Sequence, residues 1–267
     1  MFNDFTDKAV LVTGGTRGIG LATALGFGRR GAHCYLTHRW GSADEGELKA
    51  KFEAAGAPAP VVIEADASRD KDIPPLLEQI KEKHDAIDVF ISNVAVAQRG
   101  EGVDELDKRA LFTSIKYTSW PFVSYLHQMK KVFGKYPRYA VATSSDGPDC
   151  HYPHYDYVAV SKAVLETLAR YMSTHLRDED VKVNVVRTRQ VVTESYEEIF
   201  GKENVELAAR FPEFSVTPEE VADTIYALCS GMLDAMSGQV IQLDRGAQFV
   251  DNIFTLGPRL IEGGESR

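Results

Sequence analysis

Seven short apolar runs rich in β-forming residues recur along this 267-residue chain, with longer helical stretches between them. The runs are Lys8–Gly14, His33–His38, Pro60–Ala67, Ile87–Asn93, Tyr139–Ser145, Val181–Arg187 and Val240–Asp244. Each has the length and the polar borders of a buried strand. Helices are expected over Gly18–Arg30, Glu45–Ala55, Lys71–Lys83, Asp104–Phe133, Tyr155–Leu176 and Pro218–Met232. Such alternation commits a chain to a parallel sheet covered on both faces, and right-handed crossovers make that sheet doubly wound. The expectation is one α/β domain over residues 1–267, with about seven strands and no repeat, low-complexity tract or Pro/Gly linker to divide it. Segment Glu194–Phe214 holds no strand and precedes a helix start at Thr217-Pro218-Glu219-Glu220, which makes it a candidate substrate lid. Its Tyr196, Ile199, Phe200, Leu207 and Phe211 alternate with charges, the pattern of an amphipathic element. The tail after residue 246 is long enough to pack on a neighbouring subunit.

Composition narrows the function. The chain is 44% hydrophobic with a formal net charge of −9, and its pI is near 5.3. An acidic chain repels phosphate backbones and anionic membranes, so nucleic-acid and membrane-surface roles are disfavoured. Cys34, Cys150 and Cys229 are scattered, which argues against a disulfide framework or a zinc site and fits a reducing cytosol. His151 and His154 alone do not make a metal set, so no metal is expected. Met1–Lys8 has no basic, apolar leader pattern, and a cytoplasmic protein is expected.

Thr13-Gly14-Gly15-Thr16-Arg17-Gly18-Ile19-Gly20 follows the first strand run and opens the first helix. Glycines at 14, 18 and 20 permit a tight turn and close backbone approach to a diphosphate, and the helix N-terminus faces that anion. The strand-before, helix-after context makes this a dinucleotide site rather than turn punctuation. The TGxxxGxG spacing resembles that of the short-chain dehydrogenases/reductases, and the resemblance runs over nearly the whole chain. It implies a Rossmann-type sheet, adenine contacts at Asp66 and Ala67, and cofactor support from Asn93, Val94 and Ala95 in Ser92-Asn93-Val94-Ala95. Val191 and Thr193 stand where the family contacts the nicotinamide end. An acidic residue closing the second strand would select NAD. Thr37-His38-Arg39 stands there instead, and Arg39 with Arg17 can neutralise a 2′-phosphate, which favours NADPH.

The resemblance also implies a tyrosine proton donor and a lysine that lowers its pKa and holds the nicotinamide ribose. Lys162 in Val160-Ser161-Lys162-Ala163 and Ser145, seventeen residues earlier, match that pattern. Four residues before Lys162 the family's usual tyrosine is replaced by Val158. On a helix, Tyr157 lies about 140° from the Lys162 face and Tyr155 only about 20°. Tyr155 is therefore the expected donor. Tyr155-x6-Lys162 is the spacing of enoyl-acyl-carrier-protein reductases, and Ser144–Leu176 is similar to the type III enzymes and to 1-cyclohexenylcarbonyl-CoA reductases.

Further differences from carbonyl-reducing members accompany this. Lys116 falls where those members carry an asparagine, and Thr188-Arg189 replaces a Pro-Gly pair. Tyr152, Tyr157 and Arg189 are expected to line the substrate pocket, and aromatic residues in Leu111–Phe133 to serve core or subunit interface. The expected reaction is NADPH-dependent reduction of the C=C bond of an enoyl thioester, on coenzyme A or a carrier protein. The alternatives are a ketoreductase of a polyketide or other bulky carbonyl and a non-catalytic NADP(H)-binding regulator. The resemblance further implies a homotetramer built partly from the Asp104–Phe133 and Tyr155–Leu176 helices.

Overall fold

The computed structural model describes residues 4–39, 43–255 and 257–258. Its seven strands are β1 (Ala9–Val12), β2 (His33–His38), β3 (Val61–Glu64), β4 (Val89–Ser92), β5 (Tyr139–Ser145), β6 (Lys182–Thr188) and β7 (Val240–Leu243). They form one parallel sheet in the order β3-β2-β1-β4-β5-β6-β7. The order reverses direction between β1 and β4, where doubly wound sheets open a crevice at their carboxyl ends.

Alternation along the strands builds a core on each face. Leu11, Phe90, Ala140 and Val183 face one core with Leu77 of α3 (Ile73–Lys81), Phe122 and Tyr125 of α5 (Trp120–Phe133) and Leu165 of α6 (Asp156–His175). Val10, Ile91, Val141 and Val186 face the other with Phe27 of α1 (Gly18–Gly28) and Ile225 of α9 (Pro218–Cys229). A strand buried on both sides has no polar face to show, which is why the strand runs read as continuous apolar stretches.

Three boundaries differ from expectation for identifiable reasons. The expected helix over residues 104–133 is two helices, α4 (Lys108–Thr118) and α5, joined at Ser119. Pro121 cannot donate a backbone hydrogen bond and its ring crowds the preceding turn, and buried Ser119 instead donates its hydroxyl to Ser161 O at 2.6 Å. β3 stops at Glu64, because Asp66 bends the chain by accepting from Ser68 N at 2.9 Å. The third helix starts at Ile73, with Pro74 and Pro75 in its first turn.

The lid segment is helical. Thr193 caps α7 (Glu194–Phe200), Gly201 breaks the chain with φ +81°, and α8 (Lys202–Arg210) follows. Thr217 and Glu220 form a reciprocal capping box at the start of α9. The remaining α2 (Glu45–Ala54) flanks β2 and β3 in sequence. Past residue 246 the tail makes a short turn and the helix Asn252–Thr255, and its residues 256 and 259–267 lie outside the described residues. No helix among the described residues is long and apolar enough to cross a membrane.

Candidate active site

A cavity of about 930 Å³ opens at the carboxyl ends of the strands, bounded by the glycine turn, the ends of β2, β4 and β5, the start of α6 and the lid. Gly14 and Gly18 adopt φ +61° and +53°, the left-handed region that a side chain resists. A Cβ on Gly20 would lie 2.3 Å from Gly14 O, so Gly20 serves close packing of α1 against the turn; it is absent from the cavity wall. Asn93 straps this turn to the sheet. Its Nδ2 donates to Thr13 O at 3.2 Å and Gly14 O at 3.0 Å, and its Oδ1 accepts from the Thr143 hydroxyl at 3.3 Å.

Thr16, Arg17, Gly18 and Ile19 line one end of the cavity, and His38, Arg39, Asp66 and Ala67 line the next wall. Val94 and Ala95 continue it beyond Asn93, and Val191 and Thr193 border it from the loop between β6 and the lid. The two arginines have protein partners. Arg17 pairs with Glu194 at 2.6 Å and Glu198 at 3.8 Å on α7. Arg39 lies 3.7 Å from the Asp66 carboxylate, with its guanidinium 4.7 Å from the Tyr117 ring centre. His38 lines the cavity, and its Nδ1 is buried with no hydrogen-bond partner.

At the other end, Tyr155 directly precedes α6 and donates its hydroxyl to Ser145 Oγ at 3.0 Å. Lys162, buried on α6, donates from Nζ to Thr143 O at 2.8 Å. Burial pushes the Lys162 ammonium down to about 8, opposed by the charge of Glu166. Burial pushes the Tyr155 phenol up to about 12, with the Ser145 hydrogen bond opposing and the Asp146 charge adding. Exclusion of solvent is the largest influence on this phenol.

Sequence reasoning missed Asp146. It is fully buried beside Ser145 and accepts the Tyr152 hydroxyl at 2.9 and 2.8 Å. Arg189 lies 3.8 Å away across the cavity wall. Burial raises the Asp146 carboxyl, against the Tyr152 hydrogen bond and the Arg189 charge. An acidic residue after a strand usually reads as a turn, so no signal in the sequence marked it as buried. The lid closes over this end. Phe200 stacks on Tyr155 with ring centres 5.5 Å apart, Tyr152 meets Tyr155 edge-on at 5.8 Å, and Arg99 Nη1 donates to Ile199 O at 3.0 Å.

One expected placement changes. Tyr157 does not line this cavity. Its buried hydroxyl accepts from Asp107 N at 2.7 Å and pins the start of α4 beside a separate cavity of about 580 Å³. The reason is the helix face: two residues past Tyr155, the side chain points away from Lys162. Lys116 is exposed on α4, whereas Ser114, buried on the same helix, donates to Gln98 Oε1 at 2.9 Å. Among the described residues, no group of three or more His, Cys, Asp and Glu is placed to hold a metal ion.

With this geometry in view, the chain was compared with known proteins. Residues 14–248 match a family model described as Enoyl-(Acyl carrier protein) reductase. The chain is 28% identical over 248 residues to 1-cyclohexenylcarbonyl-CoA reductase of Streptomyces collinus, covering 90% of this chain and 86% of that one. It is 25% identical over 247 residues to the enoyl-[acyl-carrier-protein] reductase [NADH] FabI of Aquifex aeolicus, covering 90% of each. The fold is also that of a levodione reductase, with TM-score 0.82 at 19% identity over 92% of this chain and 100% of that one. A short-chain type dehydrogenase/reductase of Mycobacterium marinum superposes with TM-score 0.80 at 19% identity, covering 91% and 96%. The single doubly wound sheet, the glycine turn and the match over residues 14–248 make the chain a member of the enoyl-(acyl carrier protein) reductase family of short-chain dehydrogenases/reductases.

Proposed function

We propose that this protein reduces the carbon–carbon double bond of an α,β-unsaturated acyl thioester with NADPH. The observation that carries the reading is the pairing of Tyr155 with Ser145 at 3.0 Å, while Val158, four residues before Lys162, is buried and offers no proton. The relative of Streptomyces collinus is named for the same class of reaction, on a cyclohexenylcarbonyl-CoA.

The cavity fits a nicotinamide dinucleotide: the left-handed Gly14 and Gly18 and the close Gly14–Gly20 approach leave the turn free of side chains where a diphosphate would rest. Residues 14–19 would hold its diphosphate, and Lys162 its nicotinamide ribose. Arg17 and Arg39 would meet a 2′-phosphate, and no carboxylate closes β2. The bacterial relative named above carries NADH in its name, so the two arginines are the basis for NADPH here.

When bound, the reduced nicotinamide supplies a hydride to the β-carbon. The electron pair of the double bond moves to the thioester oxygen, where Tyr155 donates a hydrogen bond or proton, and the resulting enolate or enol gains a proton at the α-carbon, ultimately from solvent, to give the saturated thioester. Burial raises the Tyr155 phenol, so it is protonated at neutral pH and carries a proton to share. Ser145 holds that hydroxyl in place, Phe200 and Tyr152 exclude water around it, and Arg189 with Tyr152 borders the acyl end of the cavity.

The test is nicotinamide oxidation with crotonyl, cyclohexenylcarbonyl, cinnamoyl and β-ketoacyl thioesters, with NADPH and NADH in parallel. Saturated acyl products, formed faster with NADPH, are expected. Hydroxyacyl product from the β-ketoacyl substrate alone would make it a ketoreductase, and cofactor binding without turnover on any substrate would make it a regulator.

A further inference from the structure

A buried ion network behind the cavity is left unused by the reaction just described. Glu166 follows Lys162 by one helical turn on α6, so the two share a face. Its carboxylate accepts from Arg187 twice, Nε to Oε1 at 2.9 Å and Nη2 to Oε2 at 2.5 Å, and from the Ser144 hydroxyl at 2.7 Å. The Nη1 of Arg187 reaches Asp149 in the segment after β5. Glu166 is 2% exposed. A buried carboxylate is costly unless paired and hydrogen-bonded, and Arg187 and Ser144 supply those partners.

Among the described residues Lys162 makes no salt bridge, and its ammonium donates to the Thr143 carbonyl. The ionisable groups around it are Tyr155 at the start of α6, Asp146 at the end of β5, Arg187 on β6, Arg189 just beyond it, and Glu166 on its own helix. Of these, Glu166 is the charge that acts on the ammonium, favouring its ionised form against burial.

We propose that Glu166, held by Arg187 and Ser144 on the same face of α6 one turn from Lys162, is a positioning residue that keeps the lysine ionised for the cofactor ribose. The inference rests on the reading that Lys162 serves a nicotinamide cofactor. It assigns the network a task beyond joining α6 to β5 and β6. Arg187 and Ser144 hold the Glu166 carboxylate in place one turn from the lysine.

The experiment is an NMR titration of the cofactor-free protein carrying labelled lysine, with the Lys162 signal assigned by its loss in Lys162→Met. In Glu166→Gln, Lys162 is expected to titrate about 1 pH unit lower than in wild type, the low end of the effect of a neighbouring opposite charge. In Arg187→Lys, which keeps the cation, the titration is expected to stay at the wild-type value. NADPH affinity, followed by fluorescence across the same pH range, is expected to weaken at lower pH in Glu166→Gln than in wild type. If Glu166→Gln does not fold, the double variant Glu166→Gln/Arg187→Met removes both charges and is expected to show the same downward move. An unmoved Lys162 titration in the folded Glu166→Gln or double variant overturns the proposal. So does an unmoved pH dependence of NADPH affinity. Neither readout involves thioester turnover, so failure of the enoyl reading would be seen separately.

Discussion

The hydroxyl of Tyr155 donates to Ser145 Oγ at 3.0 Å, and two residues earlier on the same strand Thr143 O receives the Lys162 ammonium at 2.8 Å. β5 thus holds both polar ends of a tyrosine–lysine pair separated by six residues on α6 and its entry turn. The pair fits proton donation beside a bound dinucleotide, because the phenol stays protonated at neutral pH while the lysine stays largely charged below about 8.

Tyr155 and Tyr157 should separate activity from stability. Tyr157→Phe removes a hydroxyl that pins Asp107 N, so it is expected to lower unfolding stability by about 1 kcal/mol, the usual worth of one internal hydrogen bond. Turnover of the folded protein should hold. Tyr155→Phe should lose turnover, with a similar stability cost for its lost bond to Ser145. Chemical denaturation and steady-state kinetics on both variants check this; equal activity losses in both would contradict it.

Cofactor choice should rest on Arg39. Arg39→Asp is expected to weaken NADPH by about 1.5–3 kcal/mol, roughly ten- to a hundredfold, with NADH far less affected. Fluorescence titration with each cofactor measures the split. Equal losses for both would show that Arg39 meets no 2′-phosphate.

Stability should fall on mild acidification. His33 Nδ1 lies 3.2 Å from His84 Nε2, and burial, then the charge of His33, lowers the pKa of His84. Between the lowered folded value and the ordinary histidine value, the unfolded chain holds more protons, so stability rises with pH and is lost as pH falls. Melts between about pH 7.5 and about pH 5.5 should show a smaller loss in His84→Gln than in wild type. An identical loss would remove this pair as the cause.

A homotetramer is expected from the family resemblance, and the outer faces of α4, α5 and α6 support it with exposed Phe112, Trp120, Val160 and Tyr171. Light scattering should give four chains. Phe112→Glu should lower the mass without unfolding the protein. A wild-type mass of one chain at all concentrations would contradict the assembly.

The sheet was legible because every central strand is buried on both sides and therefore reads as an unbroken apolar run, as Ala9–Val12 and Val89–Ser92 do. The glycine turn was legible because the left-handed positions of Gly14 and Gly18 tolerate few other residues. The break at Ser119 was carried by Pro121 in the sequence, but apolar periodicity on both sides of it hid the interruption. The surroundings of Asp146 and of Glu166 with Arg187 were not legible, since burial of a charge depends on partners from other elements. Sequence order places Ser144, Glu166 and Arg187 more than twenty residues apart, and only the pairing of β5 with β6 under α6 brings them together.

The most direct measurement is product analysis of wild type and Tyr155→Phe given NADPH and an enoyl thioester, cyclohexenylcarbonyl- or crotonyl-CoA. Wild type should form the saturated thioester. Tyr155→Phe should still bind NADPH while turnover falls by about 10²–10⁴, the share of a positioned general acid. Undiminished reduction by Tyr155→Phe, or loss of it only in Tyr157→Phe, would contradict the assignment of Tyr155 as the proton donor.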